Sequence, residues 1–263
     1  MPPITSPHNQ NLKEIRKLRQ RRRWRERSGQ FVAEGEDLLA AADAAGWEPV
    51  ERYCAAGSGL QGTEVDGELL ARASGLASGT RALAVYEERW ASVPAGPLCV
   101  YLHGVHDPGN LGTILRSAEA FGATSVALGP GTADPFGPKA VRASMGSVFT
   151  VPLVRVDAVA DLPGLKIALV PGRGVPLSEL WRTGPNRSDQ IAKVQDEQGG
   201  DASQDDPPAD LTLLLGSERE GLPEAVVAAA DQIAHIPTAT DSLNVAMAAA
   251  VALHDLANRM ASR

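Results

Sequence analysis

From Leu98 onward the chain alternates short apolar runs with segments of helical periodicity, and this alternation constrains the fold most. The apolar runs LCVYLHGV, KIALVPG and LTLLLG have the length of buried strands, and TILRSAEAFG has the pattern of an amphipathic helix. Strands that alternate with helices pair in parallel and carry helices on both faces of the sheet. The sequence therefore predicts an α/β domain built on a parallel sheet over residues 98–263.

A smaller α/β unit is predicted over residues 1–92. It is expected to begin with one helix over 9–27, followed by a strand at 31–33 and a helix at 36–45. The Pro- and Gly-punctuated stretch 91–97 is typical of a linker.

Two further stretches carry unusual charge. The net charge is −7, but nine Lys or Arg and only two acids lie between Lys13 and Arg27, which indicates a local anion-binding surface. Residues 184–210 are polar and acidic, and they predict a disordered insertion within the α/β domain.

Cysteine usage and the distribution of apolar residues predict a soluble cytoplasmic protein. Cys54 and Cys99 are too few for a disulfide framework and fit a reducing compartment. The N-terminus lacks the apolar core of a signal peptide, and no apolar run approaches 18 residues, so no membrane span is expected.

Polar residues gather at three junctions where a strand is followed by a loop. The junctions are HGVHDPGNLGTILRSAEAFG (103–122), LLLGSEREGLPE (213–224) and AHIPTATDSLNVAMAAAVALHDL (234–256). Open α/β sheets bind ligands at the carboxyl ends of their strands, where these junctions would meet. A complete P-loop and a complete GxGxxG fingerprint are both absent, and no metal site is predicted.

Arg116 and Asn244 in these junctions call for a role beyond folding. Arg116 lies about one turn into its helix, where the positive end of the helix dipole gives a cation no advantage. Ser242 is expected to cap the last helix, whereas Asn244 is a middling helix former at its entrance. That helix is apolar nearly all round, which indicates burial against a second subunit.

The three junctions resemble, in order and spacing, the three motifs of the SpoU (TrmH-like) RNA 2′-O-ribose methyltransferases of the SPOUT superfamily. The stretch PKAVRASMGSVFTVP is similar to that family's intermotif segment, and the resemblance covers roughly residues 98–260. The N-terminal unit resembles the RNA substrate-binding domain of ribosomal-protein type that many members carry.

The resemblance implies a deep trefoil knot in the parallel-sheet domain, S-adenosylmethionine bound in the knotted loops, and a homodimer packed through the C-terminal helix. By motif position it implies catalytic roles for Asn110, Arg116, Glu218, Ser242 and Asn244. It also implies cofactor contacts from the backbone of Gly216, Ile236 and Leu243. The basic segment would contact RNA phosphates through Lys13, Arg16, Lys17, Arg21, Arg22 and Arg23.

The predicted function is S-adenosylmethionine-dependent 2′-O-methylation of a ribose in structured RNA, with ribosomal RNA preferred over transfer RNA. Related enzymes are described with the first-motif arginine as the base, but arginine is effectively always protonated. We therefore expect Arg116 to polarise or orient the hydroxyl. Alternatives are an inactive RNA-binding ribosome-assembly factor, a transfer-RNA ribose methyltransferase and a base-methylating relative from the same superfamily.

Overall fold

The computed structural model describes residues 2–74, 79–180, 209–240 and 242–261. The first part of the chain forms a four-stranded sheet in the order β1-β4-β2-β3, covered by helices. Its elements are α1 Gln10–Gln20, α2 Arg22–Ser28, β1 Gln30–Glu34, α3 Glu36–Ala44, β2 Glu51–Ala55, β3 Thr63–Val65, α4 Gly67–Ser74 and β4 Ala82–Glu87.

The prediction of one helix over 9–27 is wrong, because the helix is broken at Arg21. Asn9 caps α1 by accepting hydrogen bonds from the amides of Asn11 and Leu12, but Arg21 has extended backbone angles (φ −126°, ψ 107°). The apolar stripe of α1 ends at Leu18, which is buried. After the break, α2 runs in a new direction, and its Arg25 is buried against the protein.

Seven parallel strands form the second sheet, in the order β7-β6-β5-β10-β8-β11-β9, and the predicted parallel α/β architecture is confirmed. Its strands are β5 Leu98–Leu102, β6 Ser125–Leu128, β7 Leu153–Arg155, β8 Leu165–Leu169, β9 Val175–Pro176, β10 Leu211–Leu215 and β11 Gln232–His235. Its helices are α5 Pro108–Ala120, α6 Pro138–Ser144, α7 Glu224–Ala228 and α8 Val245–Ala261.

Helices cover both faces of this sheet, as the alternation predicts. On one face α5, α6 and α8 contribute Ile114, Val141 and Leu253 to a core that continues into the N-terminal unit. On the other face, α7 and a short 3₁₀ turn contribute Val226 and Val159 to a second cluster. The order of the strands places the ends of β5, β10, β8 and β11 side by side.

One sequence-based prediction is corrected in this sheet. The apolar run VFTVPLV (148–154) predicts a single strand, but residues 147–149 form a 3₁₀ turn and β7 begins only at Leu153. In the 3₁₀ turn, the carbonyl of Phe149 accepts a hydrogen bond from Nε1 of Trp47 at 2.8 Å. The edge strand β9 was not predicted. The predicted insertion 184–210 lies almost entirely outside the described residues, which resume at 209.

The two units share one continuous core. Phe31 packs against Phe136 with ring centroids 4.7 Å apart, and Trp47 packs edge-on against Phe149 at 5.2 Å. The predicted linker is itself packed, because the amide of Ala91 donates to the carbonyl of Leu153 at 2.7 Å. No helix in the described part of the chain is long and apolar enough to cross a membrane. The trefoil knot stays a prediction.

Candidate active site

The first junction places Asn110 at the beginning of α5. Asp107 is the N-cap of that helix, and its Oδ1 accepts a hydrogen bond from the backbone amide of Asn110 at 3.0 Å. Pro108 occupies the first helical position, where a missing amide hydrogen is harmless. Gly112 allows α5 to approach α6, since a Cβ there would lie 2.5 Å from the Cβ of Ala143.

In the second junction, a tight turn after β10 presents Glu218. The backbone groups of Ser217 and Gly221 bond to each other across this turn, at 3.1 and 3.2 Å. Gly216 is required there, because a Cβ would lie only 2.1 Å from the carbonyl carbon of Gly221. Glu218 is thereby held exposed at the end of the strand.

Asn244 caps α8 in the third junction, and the prediction that Ser242 does so is wrong. The Oδ1 of Asn244 accepts hydrogen bonds from the amides of Ala246 at 2.9 Å and Met247 at 3.4 Å. Since α8 begins at Val245, Asn244 and not Ser242 has the position from which a side chain reaches those amides.

One residue from each junction joins a hydrogen-bonded group, which we call the amide–carboxylate cluster: Asn110, Glu218 and Asn244. The Nδ2 of Asn110 donates to Oε1 of Glu218 at 2.5 Å, and its Oδ1 accepts from Nδ2 of Asn244 at 3.2 Å. Residues 134 positions apart in sequence therefore meet at the carboxyl edge of the seven-stranded sheet. All three remain accessible to solvent.

Beside this cluster lies a pocket of about 800 Å³, formed by the loops that follow β8, β10 and β11. Gly216, Ile236 and Leu243, predicted to contact the cofactor, all line it, and so do Glu218 and Ser242. The wall combines loop backbone with apolar and charged side chains. Such a mixture, at a volume of several hundred Å³, is compatible with a site for a small organic cofactor. Among the described residues no group of His, Cys, Asp or Glu could hold a metal ion.

An ion pair that was not predicted braces the first junction. The Nζ of Lys139, at the start of α6, donates to Oδ2 of Asp107 at 2.6 Å. The hydrogen bonds from Lys139 and from the amide of Asn110 hold the pKa of Asp107 below its ordinary value. The Asp-Pro pair signals the helix cap in the sequence, but the lysine lies 32 residues away with no local signal.

Arg116 is not brought to the cluster within one chain. It lies on α5 six residues after Asn110, which at 3.6 residues per turn turns the two side chains to different sides of the helix. Arg116 is exposed and has no hydrogen bond or ion pair with the residues that the structure describes.

The predicted RNA-contacting residues are only partly free. Lys13 and residues 21–23 are exposed, while Arg16 is half-buried. Lys17 pairs with Glu14 at 2.7 Å and lies over the ring of Trp24. We call the exposed members the basic face: Lys13, Arg21, Arg22 and Arg23. Among them Arg22 forms an exposed ion pair with Glu26 at 2.8 Å.

Comparison with known proteins matches both parts of the chain. The profile of the SpoU rRNA Methylase family matches residues 97–254, and that of the MRM3-like substrate binding domain matches residues 9–93. Over 158 residues the chain is 34% identical to the 23S rRNA (guanosine(2553)-2′-O)-methyltransferase RlmP of Bacillus subtilis, a match covering 59% of this chain and 56% of that protein.

Two relatives match along nearly the whole chain. An uncharacterized tRNA/rRNA methyltransferase of Synechocystis is 30% identical over 271 residues, covering 96% of this chain and 92% of that protein. The crystal structure of an AdoMet-bound rRNA methyltransferase from Sinorhizobium meliloti superposes with a TM-score of 0.77 at 28% identity, covering 98% and 97% of the two chains.

Proposed function

Because the chain belongs to the SpoU rRNA methylase family, we propose that it methylates the 2′-hydroxyl of a ribose in ribosomal RNA, with S-adenosylmethionine as donor. The observation that carries this proposal is the meeting of Asn110, Glu218 and Asn244 beside the pocket that follows β8, β10 and β11. The RNA class rests on the relatives, whose names describe 23S rRNA 2′-O-methyltransferases.

The pocket fits the proposed cofactor in size and in the chemistry of its walls. Leu222 and Ile236 offer apolar contacts, and Glu218 and Ser242 bring polar groups to the same cavity. When bound, S-adenosylmethionine supplies an electrophilic methyl group that needs in-line approach more than activation. The protein's main task is therefore to position the hydroxyl, and positioning contributes about 7–11 kcal/mol in favourable cases.

The amide–carboxylate cluster holds three loops in register, so that the pocket and the place of the ribose stay fixed. Arg116 supplies the charge: its guanidinium donates hydrogen bonds to the ribose hydroxyl oxygen and the neighbouring phosphate, which orients a lone pair of that oxygen towards the methyl group. The hydroxyl proton passes to solvent water as the oxygen–methyl bond forms and the sulfur–methyl bond breaks. General base catalysis contributes typically about 10²–10⁴-fold, less in energy than positioning does. A protonated arginine can therefore serve here without acting as a base.

The basic face supplies phosphate contacts, which give affinity and a dependence on salt but not sequence choice. The homodimer through α8 and the cytoplasmic location, where ribosomes are assembled, belong to the same proposal. In a dimer, Arg116 of one subunit would reach the cluster of the other, because it lies away from the cluster of its own chain.

The proposal is tested by mapping 2′-O-methyl groups in total RNA from cells with and without the gene. The purified protein is then incubated with ribosomal RNA from the deletion strain and with S-adenosylmethionine, and the Arg116→Ala variant serves as the control. One ribose of ribosomal RNA that loses its methyl group in the deletion and regains it in vitro supports the proposal. A methylated base, a transfer RNA product, or no product refutes it, and these outcomes separate the alternative functions.

A further inference from the structure

One arginine of the basic segment is turned into the protein. Arg25 on α2 is only 5% exposed, whereas residues 21–23 just before it are exposed. Its Nε and Nη2 both donate to Oδ2 of Asp134, at 2.9 and 2.6 Å, and its Nη1 donates to the carbonyl of Leu18 at 2.5 Å. Arginine is almost never buried unless it is paired, so these contacts define its place.

Asp134 belongs to the other unit of the protein, in the loop 129–137 between β6 and α6. Its second carboxylate oxygen accepts a hydrogen bond from the amide of Phe136 at 2.9 Å. The ring of Phe136 packs on Phe31 of the N-terminal sheet. A charge pair thus holds α2, and an aromatic contact holds β1, against this one loop.

The same loop is bonded to the connection between β5 and α5. The amide of Ala133 donates to the carbonyl of Val105 at 2.9 Å, and the amide of Gly104 donates to the carbonyl of Pro130 at 3.0 Å. Two residues after Val105, Asp107 caps the helix that presents Asn110. Arg25 is therefore connected to the amide–carboxylate cluster through Asp134, the two backbone hydrogen bonds of its loop, and the connection between β5 and α5.

We propose that Arg25 is a positioning residue for RNA methylation, with Asp134 as its partner. The Arg25–Asp134 pair fixes the basic face relative to the amide–carboxylate cluster. RNA bound to the basic face then presents one ribose to the cluster. Arg25 itself contacts neither RNA nor cofactor. If Arg25 is removed, Asp134 is left as a largely buried carboxylate without its countercharge, which favours separation of α2 from the loop. This inference rests on the proposed function of the site.

The geometric consequence is tested without any RNA. Nitroxide labels are placed on Gln20→Cys in α1 and Asp161→Cys in the second unit, both exposed, while the native Cys54 and Cys99 are buried. Pulsed electron spin resonance then measures the distance between the labels, with labelled protein diluted in unlabelled protein. The Arg25→Met and Asp134→Asn variants are expected to broaden or shift the distance distribution relative to the wild type.

The catalytic consequence is a split between turnover and binding. Both variants keep the exposed basic residues, so their affinity for ribosomal RNA and for S-adenosylmethionine is expected to stay near the wild-type value. Turnover is expected to fall by about tenfold or more, because a misplacement of about 1 Å can cost about 100-fold. Methylation is also expected to spread to neighbouring riboses.

Arg72→Met serves as the matched control, because Arg72 forms an exposed pair with Glu68 at 3.3 Å on the same unit. It is expected to leave turnover, the methylated position and the label distance unchanged. If Arg25→Met fails to fold in thermal melting, Asp134→Asn carries the test alone, since it removes the charge and keeps the shape.

An unchanged label distance, or wild-type turnover at a single ribose in Asp134→Asn, overturns the inference. If the wild-type protein methylates no RNA, the proposed function is refuted instead. The label distances still report whether the Arg25–Asp134 pair holds the two units in place.

Discussion

At the scale of single residues, the side-chain amide of Asn110 both donates and accepts a hydrogen bond. Its Nδ2 donates to Glu218 and its Oδ1 accepts from Asn244, so each neighbour fixes one end of the amide. An aspartate or leucine of similar size would lose one or both of these bonds. The cluster therefore depends on donor and acceptor pattern more than on net charge.

Glu218 tests this interpretation. Glu218→Gln keeps an oxygen that accepts from Asn110, so most of kcat is expected to remain. Glu218→Ala removes the acceptor, and kcat is expected to fall by about tenfold, because a hydrogen bond to a charged group is worth about 1.5–3 kcal/mol and less where it is exposed. Steady-state kinetics on ribosomal RNA measures both. If Gln is as damaging as Ala, the charge of Glu218 acts on the substrate directly.

Arg116 is exposed and makes no hydrogen bond or ion pair with the described residues. Its replacement is therefore expected to change methyl transfer without changing the stability of the fold. In Arg116→Ala, methyl transfer is expected to fall by at least about 100-fold, because the hydroxyl loses the donor that orients it for in-line attack and a misplacement of about 1 Å can cost about 100-fold. Cofactor affinity and melting temperature are expected to match the wild type. Calorimetry with S-adenosylmethionine is the measurement. Loss of cofactor binding contradicts the catalytic assignment.

At the scale of elements, the cap of α5 links stability to pH. Asp107→Ala is expected to lower the free energy of unfolding by about 1 kcal/mol, because the first turn loses its side-chain acceptor. The pKa of Asp107 lies below its ordinary value of 3.8. Its contribution is thus complete above that ordinary pKa and is lost as the pH falls through the lowered one.

Denaturant titrations across this acid range check the prediction, because the difference in stability between the wild type and Asp107→Ala is expected to narrow there. Lys139→Met is the matched control. It removes only the ion pair, whose side chains are 60% and 45% exposed, so the change is expected to stay below about 0.5 kcal/mol. A constant difference between wild type and Asp107→Ala at all pH values contradicts the cap as the source.

The basic face makes a prediction about salt. Each phosphate contact contributes about 0.7–0.9 to the slope of log affinity against log salt, so reversing the charges of Arg21, Arg22 and Arg23 is expected to flatten that slope by about 2. Filter binding of ribosomal RNA at several salt concentrations measures it. Reversal of Arg72 and Arg81, exposed on the same unit, is the control. An unchanged slope shows that the face is merely solvated.

At the scale of the whole molecule, the sequence predicts the sheet better than it predicts the join between the units. Strands such as Leu98–Leu102 and Leu211–Leu215 carry their own apolar signal, and each was predicted in place. The sequence around Arg25 does not distinguish it from the exposed arginines beside it. Its burial is set by Asp134, 109 residues away, and a single sequence does not show such a partner.

The last prediction concerns a second copy of the chain. On α8, Met247 and Val251 are 60% and 47% exposed and lie one turn apart, an apolar stripe suited to a twofold interface. Met247→Lys with Val251→Glu is expected to give a monomer in sedimentation. Arg116 on the neighbouring α5 lies outside the cluster of its own chain, so this monomer is expected to bind cofactor without transferring methyl groups.

Mixing inactive subunits decides whether Arg116 acts across that interface. The Arg116→Ala and Asn244→Ala variants are mixed in equal amounts. If the arginine comes from the partner, one of the two sites in each mixed dimer has an intact Asn244 from one subunit and an intact Arg116 from the other. Random twofold pairing then restores about a quarter of wild-type activity. If the arginine serves its own chain, every site carries a defect and no activity returns. A dead mixture, with exchange of subunits verified by differential labelling, therefore confines Arg116 to its own subunit and contradicts the dimeric site.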